Sequence, residues 1–316
     1  MSASSLLRRF RAPTDASDKI RPVRAAVLDI GSNTARLLVA ELRKGRVLPV
    51  REESVYLGLG AEILLHGSVG AAKLAETADV TRAFSKVARK SEADEIDVVV
   101  TAPGRQAANP DELLATVARA SGTVARILSA REEGELAYEG ALTREDVAGL
   151  RVAVCDIGGG STEIVVGDSG MPSFWNTSVD LGSLRLTAAC LGDDPPSDRS
   201  LAAAEQLAHE LFAVVDPPAA DLALAVGGSA RGLAKLVGPV LGEDELTLAL
   251  ELSSARRSAK VAKSYGLDEQ RARVLPAGAI VLREVTRRLG RPLQLGRGGL
   301  REAAVVRMLA ADARAA

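Results

Sequence analysis

The sequence predicts an α/β protein of two related domains, and three observations support this prediction. Apolar strand-like segments alternate with longer helical segments along the chain. The pattern restarts near residue 151, so that the second half repeats the first. Two segments, VLDIGSNTARLLVAE (27–41) and VCDIGGGSTEIVVGD (154–168), align without a gap, and each has a strand, an Asp, a turn of small residues and a second strand. A chain of 316 residues is long enough to fill two such domains.

The first half begins with the first copy of this hairpin. Apolar runs predict strands at 24–30, 35–41, 46–53, 96–101 and 124–128, and a period of 3.6 residues predicts helices at 69–92 and 110–121. The second helix has a capping residue, Asn109, and a proline in its first turn, Pro110.

The second half begins with the second copy. It has predicted strands at 151–156, 162–168, 173–179 and 221–226, a helix at 199–215, a Gly-Gly loop after the last strand, and mostly helix from there on. The basic, proline-interrupted residues 1–22 are predicted to be a flexible tail. The first domain is then 23–131 and the second 132–316, with a hinge at 139–150. The last helix, about 299–312, is expected to pack back on the first domain.

The duplicated hairpins predict a phosphate site. Gly and Ser allow the backbone to come close to an anion and to direct several N–H groups at it. Asp29 and Asp156, one at each hairpin, can hold a Mg²⁺ that bridges to phosphate oxygens. The predicted phosphate-binding residues are Gly31, Ser32, Asn33, Thr34 and Arg36 in the first copy and Gly158, Gly159, Gly160, Ser161 and Thr162 in the second. The alternative is two ordinary tight turns with Asp as a turn former, and the repetition favours the phosphate site.

Two further segments carry candidate site residues. Glu163 lies within an apolar strand, where a carboxylate usually faces a partner or a metal, and the equivalent residue in the first copy is Arg36. We expect Arg36 to face phosphate and Glu163 to face water or the metal; the alternative is an ion pair between them. Gly227, Gly228 and Ser229 precede a helix, which predicts either an anion site at the helix N-terminus or a tight turn.

Composition excludes several classes of function. Lys and Arg number 40 and Asp and Glu 41, so the formal net charge is -1 and no overall field attracts nucleic acid or an anionic membrane. Aromatic residues are only 3%, which argues against a base-stacking surface for DNA or RNA. Cys155 and Cys190 have neither a CxxC nor a zinc spacing. Without a long apolar run or a signal peptide, we expect a cytoplasmic protein with no membrane partner.

These motifs resemble the exopolyphosphatase / guanosine pentaphosphate phosphatase (Ppx/GppA) family of the acetate and sugar kinase / Hsp70 / actin superfamily. The resemblance rests on the two Asp motifs, on GRQAAN (104–109) and on AREEGEL (130–136), and it covers about residues 25–308. It implies two duplicated actin-like (ribonuclease H-like) domains with a cleft between them. It further implies Mg²⁺-dependent release of terminal orthophosphate from polyphosphate or guanosine pentaphosphate, with guanosine tetraphosphate as a related ligand, and is compatible with a homodimer.

The resemblance also implies roles for single residues. Glu133 matches the general base that acts on the attacking water, although an acidic residue at a helix start, Glu132 or Glu133, can simply favour the helix dipole. Arg105 matches a phosphate-binding arginine and Glu163 an acidic residue near Mg²⁺, so that Asp29, Asp156 and Glu163 are the predicted metal ligands. Arg297 and Arg301 lie in a segment that matches the family's C-terminal Gly and Leu-Arg-Glu stretch, and we expect them to pack the last helix rather than face phosphate.

The chain departs from the family pattern at Pro103, Gly104, Gly134 and Tyr56. These changes leave two alternatives to a hydrolase. One is a kinase of the same superfamily, for which the sequence shows no clear adenosine pocket. The other is a non-catalytic sensor that binds polyphosphate or a nucleotide without turnover.

Overall fold

Two mixed β-sheets confirm the predicted α/β class. The computed structural model describes residues 22–43 and 46–315, and apart from Pro22 the predicted tail lies outside them. The first sheet contains β1 (Arg24–Ile30), β2 (Thr34–Arg43), β3 (Arg46–Tyr56), β4 (Glu95–Val100) and β5 (Ala125–Ile127). The second sheet contains β6 (Arg151–Ile157), β7 (Thr162–Asp168), β8 (Ser173–Val179), β9 (Leu222–Val226), β10 (Val240–Leu241) and β11 (Leu293–Leu295).

The two sheets share one topology, as the duplication predicts. The strand orders are β3-β2-β1-β4-β5 and β8-β7-β6-β9-β11, with β10 added at the edge of the second sheet. In both sheets the first two strands form an antiparallel hairpin, and the first strand pairs in parallel with the fourth. Since parallel neighbours end at the same edge of a sheet, the segments that follow β1 and β4, and those that follow β6 and β9, lie side by side.

Helices connect and cover the sheets. They are α1 (Leu59–His66), α2 (Ala71–Lys90), α3 (Ala102–Gln106), α4 (Pro110–Ser121), α5 (Ala130–Leu142), α6 (Ser183–Cys190), α7 (Asp198–Phe212), α8 (Gly227–Val237), α9 (Glu243–Ser254), α10 (Ser258–Tyr265), α11 (Glu269–Arg273), α12 (Leu275–Leu289) and α13 (Leu300–Ala315). Within the described ranges no helix is long and apolar enough to cross a bilayer.

Several elements differ from the sequence prediction. Helix α1 was missed because its eight residues follow directly on β3 and carry only two turns of periodicity; Gly58 and Gly67 bound it, both at positive φ. The predicted loop at Gly227 and Gly228 is wrong, since α8 begins at Gly227. The predicted hinge at 139–150 begins within the last turn of α5. Strands β10 and β11 have only two and three residues, too few to show a period.

Helix α5 lies between the two sheets. Its Leu136 belongs to a buried cluster with Val27 and Leu38 of the first sheet. The next two residues, Ala137 and Tyr138, belong to a different buried cluster built around the second sheet. Consecutive residues of a helix point in different directions. One helix therefore packs on both sheets and holds them on the two sides of the cleft.

Helix α13 packs on the first sheet. Leu300 and Val305 are buried in the cluster that also holds Val27 and Leu38. Arg307 donates two hydrogen bonds to the Glu139 carboxylate of α5, at 2.7 and 2.8 Å. The C-terminal helix therefore ties α5 to the first sheet, and the segment just before it reaches the cleft.

Candidate active site

The loops of the two hairpins meet across the cleft. In each copy the glycine after Asp-Ile donates its N–H to a carbonyl three residues later, Gly31 to Thr34 at 3.1 Å and Gly158 to Ser161 at 3.0 Å. A Cβ atom on Gly159 would lie 2.9 Å from Asn33 Nδ2. Such an approach requires glycine. The first loop (31–33) and the second loop (158–161) therefore line one site, as the sequence predicts.

Asp29 and Asp156 occupy equivalent places at the ends of β1 and β6. Across the hairpins Asp29 is paired with Arg36, and Asp156 with Glu163. Burial raises the pKa of both Asp carboxyls, and the nearby Arg36 opposes this effect in each case. A bound cation beside them would favour the ionised form of both carboxyls.

Arg105 lies beside the cleft and contacts α5, the Leu128 carbonyl and the second hairpin. Its guanidinium donates to Glu133 Oε2 at 2.7 Å and to the Leu128 carbonyl at 3.0 Å. It also donates to the Ser161 hydroxyl at 3.3 Å and lies 3.6 Å from Glu163 Oε1. The predicted base, the predicted phosphate-binding arginine and the second loop are therefore in direct contact.

Local structure explains why Glu133, rather than its neighbour, faces the cleft. Ser129 caps α5, and Glu132 closes the capping box by accepting from the Ser129 backbone N–H at 3.0 Å. Glu132 is thereby held at the helix end. One residue further round the helix, Glu133 is buried and lines the cleft. Of the two residues, Glu132 is therefore the one whose negative charge serves the start of the helix.

The short helix α3 brings Arg105 to this position. It follows β4 directly, and Pro103 lies in its first turn, where a missing N–H costs no hydrogen bond. A Cβ atom on Gly104 would lie 2.8 Å from Ile127 Cγ1. Gly104 therefore lets α3 lie close to β5, Pro103 fits the first turn of α3, and Arg105 lies beside the cleft.

Glu133 and Glu163 form a buried acidic pair. Burial and the charge of Glu163 raise the pKa of Glu133 well above its ordinary value, against the opposing charge of Arg105. Burial and Asp156 raise the pKa of Glu163 to about 7. Glu163 Oε1 accepts a hydrogen bond from Ser178 at 2.9 Å, whereas its Oε2 is buried without a partner. Since Arg105 is the cation beside Glu163, the alternative of an ion pair with Arg36 is wrong.

The Gly-Gly segment after β9 contributes backbone to the cleft. Gly227 has φ +91°, and a Cβ atom there would lie 2.5 Å from Asp156 Oδ1. Gly227 and Gly228 line the cleft. Ser229 does not; its buried hydroxyl donates to Ser183 at 3.1 Å.

Thr34 and Thr162, two other predicted phosphate ligands, also differ in whether they reach the cleft. Thr34, at the end of the first loop, lines the cleft. The Thr162 hydroxyl instead donates to the Leu181 carbonyl at 2.6 Å and is fully buried. The sequence could not separate them, because a strand residue next to a loop points either to the cleft or to the core.

An arginine cluster faces the two Asp residues. It consists of Arg36, Arg231, Arg271 and Arg301, which all line the cleft. None of the four forms a salt bridge with another residue in the described part of the chain. Burial together with the neighbouring Arg231 and Arg301 lowers the pKa of Arg36 to about 10. Like charges this close repel one another, so an arginine cluster of this kind suits a polyanion.

Sequence reasoning missed two of these four arginines. Arg231 lies one helical turn after Gly227, and that spacing was a signal that could have been used. Arg271 lies in α11, far along the chain, and only the fold brings its guanidinium against Gly228. Arg301 was expected to pack the last helix; it does donate to the Leu37 carbonyl at 3.4 Å, but it also lines the cleft.

Asp29 and Asp156 line the cleft and Glu163 lies next to it, and all three side chains are carboxylates. Asp29, Asp156 and Glu163 offer carboxylate oxygens, the ligands that Mg²⁺ prefers, and Glu163 Oε2 has no other partner. No three His, Cys, Asp or Glu side chains in the described ranges could hold an ion by themselves. Asp29, Asp156 and Glu163 therefore do not come together as a three-carboxylate ion site. A Mg²⁺ ion at Asp29 or Asp156 would need further ligands from water or phosphate.

A Gly134→Ala substitution is expected to lower stability and to displace Glu133. The new Cβ would lie 2.9 Å from Val165 Cγ2 and 3.1 Å from Asn176 Nδ2, both on the neighbouring sheet. Overpacking of this kind costs about 1–3 kcal/mol, more than the roughly 1 kcal/mol that alanine contributes to a helix. Chemical denaturation measures the change. Adding Val165→Ala should recover part of the loss, and strictly additive effects of the two substitutions would contradict the contact.

Most of the chain matches one protein family. The model of the Ppx/GppA phosphatase family matches residues 38–312. Exopolyphosphatase 1 of Mycobacterium tuberculosis is 30% identical over 312 residues, covering 92% of this chain and 90% of that protein. Exopolyphosphatase 2 of the same organism is 28% identical over 292 residues, covering 84% and 91%.

A solved structure shares the fold. The crystal structure of the Aquifex aeolicus member of the Ppx/GppA family has a TM-score of 0.77 and 25% sequence identity, covering 92% of this chain and 98% of that one. The two similar sheets are therefore the two actin-like domains that the resemblance implies. The chain belongs to the Ppx/GppA phosphatase family.

Proposed function

We propose that this protein is a Mg²⁺-dependent phosphoanhydride hydrolase that releases terminal orthophosphate from inorganic polyphosphate and from guanosine pentaphosphate. One observation carries the proposal: the arginine cluster and Glu133 line the same cleft, and Arg105 joins Glu133 to the neighbouring Glu163. Such a cleft binds a polyanion and offers a base beside it. The similarity to two proteins named exopolyphosphatases supports the polyphosphate part.

The chain's own residues would bind the terminal phosphoryl group between the two loops. Their backbone N–H groups donate to its oxygens. Asp29 and Asp156 would hold Mg²⁺, which neutralises charge on the phosphate when bound. The arginine cluster binds the phosphates next in the chain, and its charges stabilise the leaving group.

Glu133 is the proposed base. An incoming phosphoryl group competes with Glu133 for the Arg105 guanidinium, and this frees Glu133 Oε2 for a water molecule. The water attacks phosphorus in line, Glu133 takes its proton, and the bond from phosphorus to the bridging oxygen breaks. The products are orthophosphate and a chain shortened by one phosphate, which for guanosine pentaphosphate is guanosine tetraphosphate.

Phosphate release with and without metal tests the proposal. We expect release from tripolyphosphate, longer polyphosphate and guanosine pentaphosphate with Mg²⁺, and a fall of at least about 100-fold in EDTA, since a lost metal removes several kcal/mol of charge stabilisation. Excess Mg²⁺ should restore the rate. Release that requires a phosphate acceptor would instead indicate a kinase, and binding without release would indicate a sensor.

A further inference from the structure

The three glycine carbonyls of the second loop all accept hydrogen bonds from the protein. The Gly158 carbonyl accepts the Ser183 N–H at 3.0 Å. The Gly159 carbonyl accepts the next two N–H groups of the same helix, α6, both at 3.0 Å. The Gly160 carbonyl accepts a hydrogen bond from Gln106 Nε2 at 3.3 Å. The loop is therefore held through its carbonyl oxygens, mainly by the first turn of α6.

The N–H groups of the second loop are left for a ligand. In the part of the chain that the structure describes, the N–H groups of Gly159, Gly160 and Ser161 donate to no protein atom. All three residues line the cleft. A carbonyl and the N–H of the next residue belong to one planar trans peptide unit and point in opposite directions. Holding the three carbonyls therefore sets the direction of these three N–H groups.

The second loop depends on this support more than the first. In the first loop the carbonyls of Ser32 and Asn33 also accept N–H groups, from Gly60 at 2.8 Å and from Leu57 at 2.9 Å. That loop has a single glycine, Gly31, whereas the second has three in the equivalent positions. Glycine has the greatest backbone freedom of any residue. The direction of the second loop is therefore set more by its surroundings than by its own backbone.

Buried hydroxyl groups hold the start of α6. The Thr162 hydroxyl donates to the Leu181 carbonyl at 2.6 Å, two residues before the helix. Ser183 Oγ donates to the Gly158 carbonyl at 3.2 Å, beside its own N–H. Ser229 Oγ donates in turn to Ser183 Oγ at 3.1 Å. Thr162, Ser183 and Ser229 are each at most 1% exposed, so bulk water does not compete for these bonds.

Resting on the proposed function, we infer that Thr162 and Ser229 are positioning residues of the second loop. Thr162 fixes the segment that leads into α6, and Ser229 acts on the loop through Ser183. The first turn of α6 then keeps the loop N–H groups directed at the terminal phosphoryl group. Neither side chain lines the cleft itself. The residue equivalent to Thr162 in the first copy is Ala35, which has no hydroxyl, so this support belongs to the second loop alone.

Two substitutions of Thr162 separate hydrogen bonding from packing. Thr162→Val keeps the shape and removes the donor to Leu181, whereas Thr162→Ser removes a methyl group and keeps the donor. With tripolyphosphate and Mg²⁺, Thr162→Val should lower kcat/KM by about 5- to 100-fold, the range for loss of one partner of a buried hydrogen bond. Thr162→Ser should keep most of the activity. Equal values for the two variants, or a lower value for Thr162→Ser, would overturn the inference.

The Michaelis constant distinguishes a displaced loop from a less stable protein. A smaller folded fraction lowers kcat and leaves KM unchanged, whereas a displaced loop also raises KM because its N–H groups bind phosphate before the reaction. KM should therefore rise in Thr162→Val, and an unchanged KM would contradict the positioning role.

Thr77→Val is the matched control. Thr77 is as buried as Thr162, its hydroxyl donates to the Lys73 carbonyl at 2.7 Å, and it does not line the cleft. The same substitution therefore removes the same kind of hydrogen bond from the first domain. Its KM should equal that of wild type, and an equal rise in both variants would show that lost stability accounts for the effect.

Ser229 is tested through its partner. Because Ser229 acts through Ser183, Ser229→Ala should lower kcat/KM in the wild-type background and have no further effect in a Ser183→Ala background. No loss in Ser229→Ala, or the same loss in both backgrounds, would contradict the role of Ser229.

Direct binding separates this inference from the proposed function. If wild type releases no orthophosphate, the hydrolase proposal fails, and calorimetric titration of the same variants with tripolyphosphate still tests the loop. Weaker binding to Thr162→Val than to Thr162→Ser supports the positioning role. Identical affinities, or weaker binding to Thr162→Ser, refute it.

Discussion

A Glu133→Gln variant is expected to lose about 10²- to 10⁴-fold in kcat, the range for removal of a general base. Glutamine has the same shape and keeps an oxygen that can accept from Arg105, now 2.7 Å from the Glu133 carboxylate. It cannot take a proton from water. Because the loops and the arginine cluster are unchanged, KM should change little. Steady-state orthophosphate release from tripolyphosphate measures both constants.

Glu132→Gln is the matched control. Glu132 is the adjacent residue and undergoes the same chemical change, but its carboxylate serves the helix cap, a role that glutamine also fills. Its kcat should stay within about twofold of wild type, a difference too small for a catalytic role. If the two variants lose activity equally, Glu133 is not the base. If Glu133→Gln raises KM and leaves kcat unchanged, it binds substrate instead.

The pH dependence gives a second check on Glu133. Burial and Glu163 raise the pKa of the Glu133 carboxyl, so its unprotonated form, the one that can act as a base, becomes more abundant as pH rises. For wild type, kcat/KM should therefore still increase with pH above 4.5, the ordinary pKa of a glutamate carboxyl. The residual activity of Glu133→Gln should lack this rise. A profile shared by both proteins would assign the titration to another group.

The hairpins were predictable because the residues that define each of them lie close together in the sequence. Each copy holds its strand, Asp and turn within 15 consecutive residues, and a second copy makes the pattern specific. The shared strand order of the two sheets follows from the same repetition. Asp29, Asp156 and the two loops therefore lie where the sequence predicts.

The rest of the cleft depends on contacts between distant segments. Arg271 comes from a five-residue helix without any motif, and only the packing of α11 on α8 brings it to Gly228. The sequence alone does not distinguish the roles of Glu132 and Glu133. In the structure Glu132 closes the capping box with Ser129, which leaves Glu133 for the cleft. Ser229 and Thr162 lie in the right segments but turn to the core, because side-chain direction changes from one residue to the next.

A Gly140→Ala substitution is expected to have the largest effect on stability. Gly140 faces the segment before α13, and a Cβ atom there would overlap the backbone of Gly299, including its carbonyl oxygen. A flexible side chain could turn away from such an overlap, whereas backbone cannot. The segment that would have to move, 298–302, lines the cleft and carries Arg301. We therefore expect catalysis to fall along with stability.

The size of the loss follows from two opposing effects. Alanine favours a helix interior by about 1 kcal/mol over glycine, so a Gly140→Ala change without any contact would stabilise. Overpacking typically costs about 1–3 kcal/mol and more where relaxation is blocked, and we expect a net loss of about 3 kcal/mol, seen as a melting temperature lower by roughly 6–12 °C. Gly192→Ala is the control, since a Cβ atom there meets nothing within 4 Å. A Gly140→Ala protein as stable as wild type would show that α5 and the segment before α13 do not approach this closely. The expected loss of catalysis through displacement of Arg301 would then be contradicted as well.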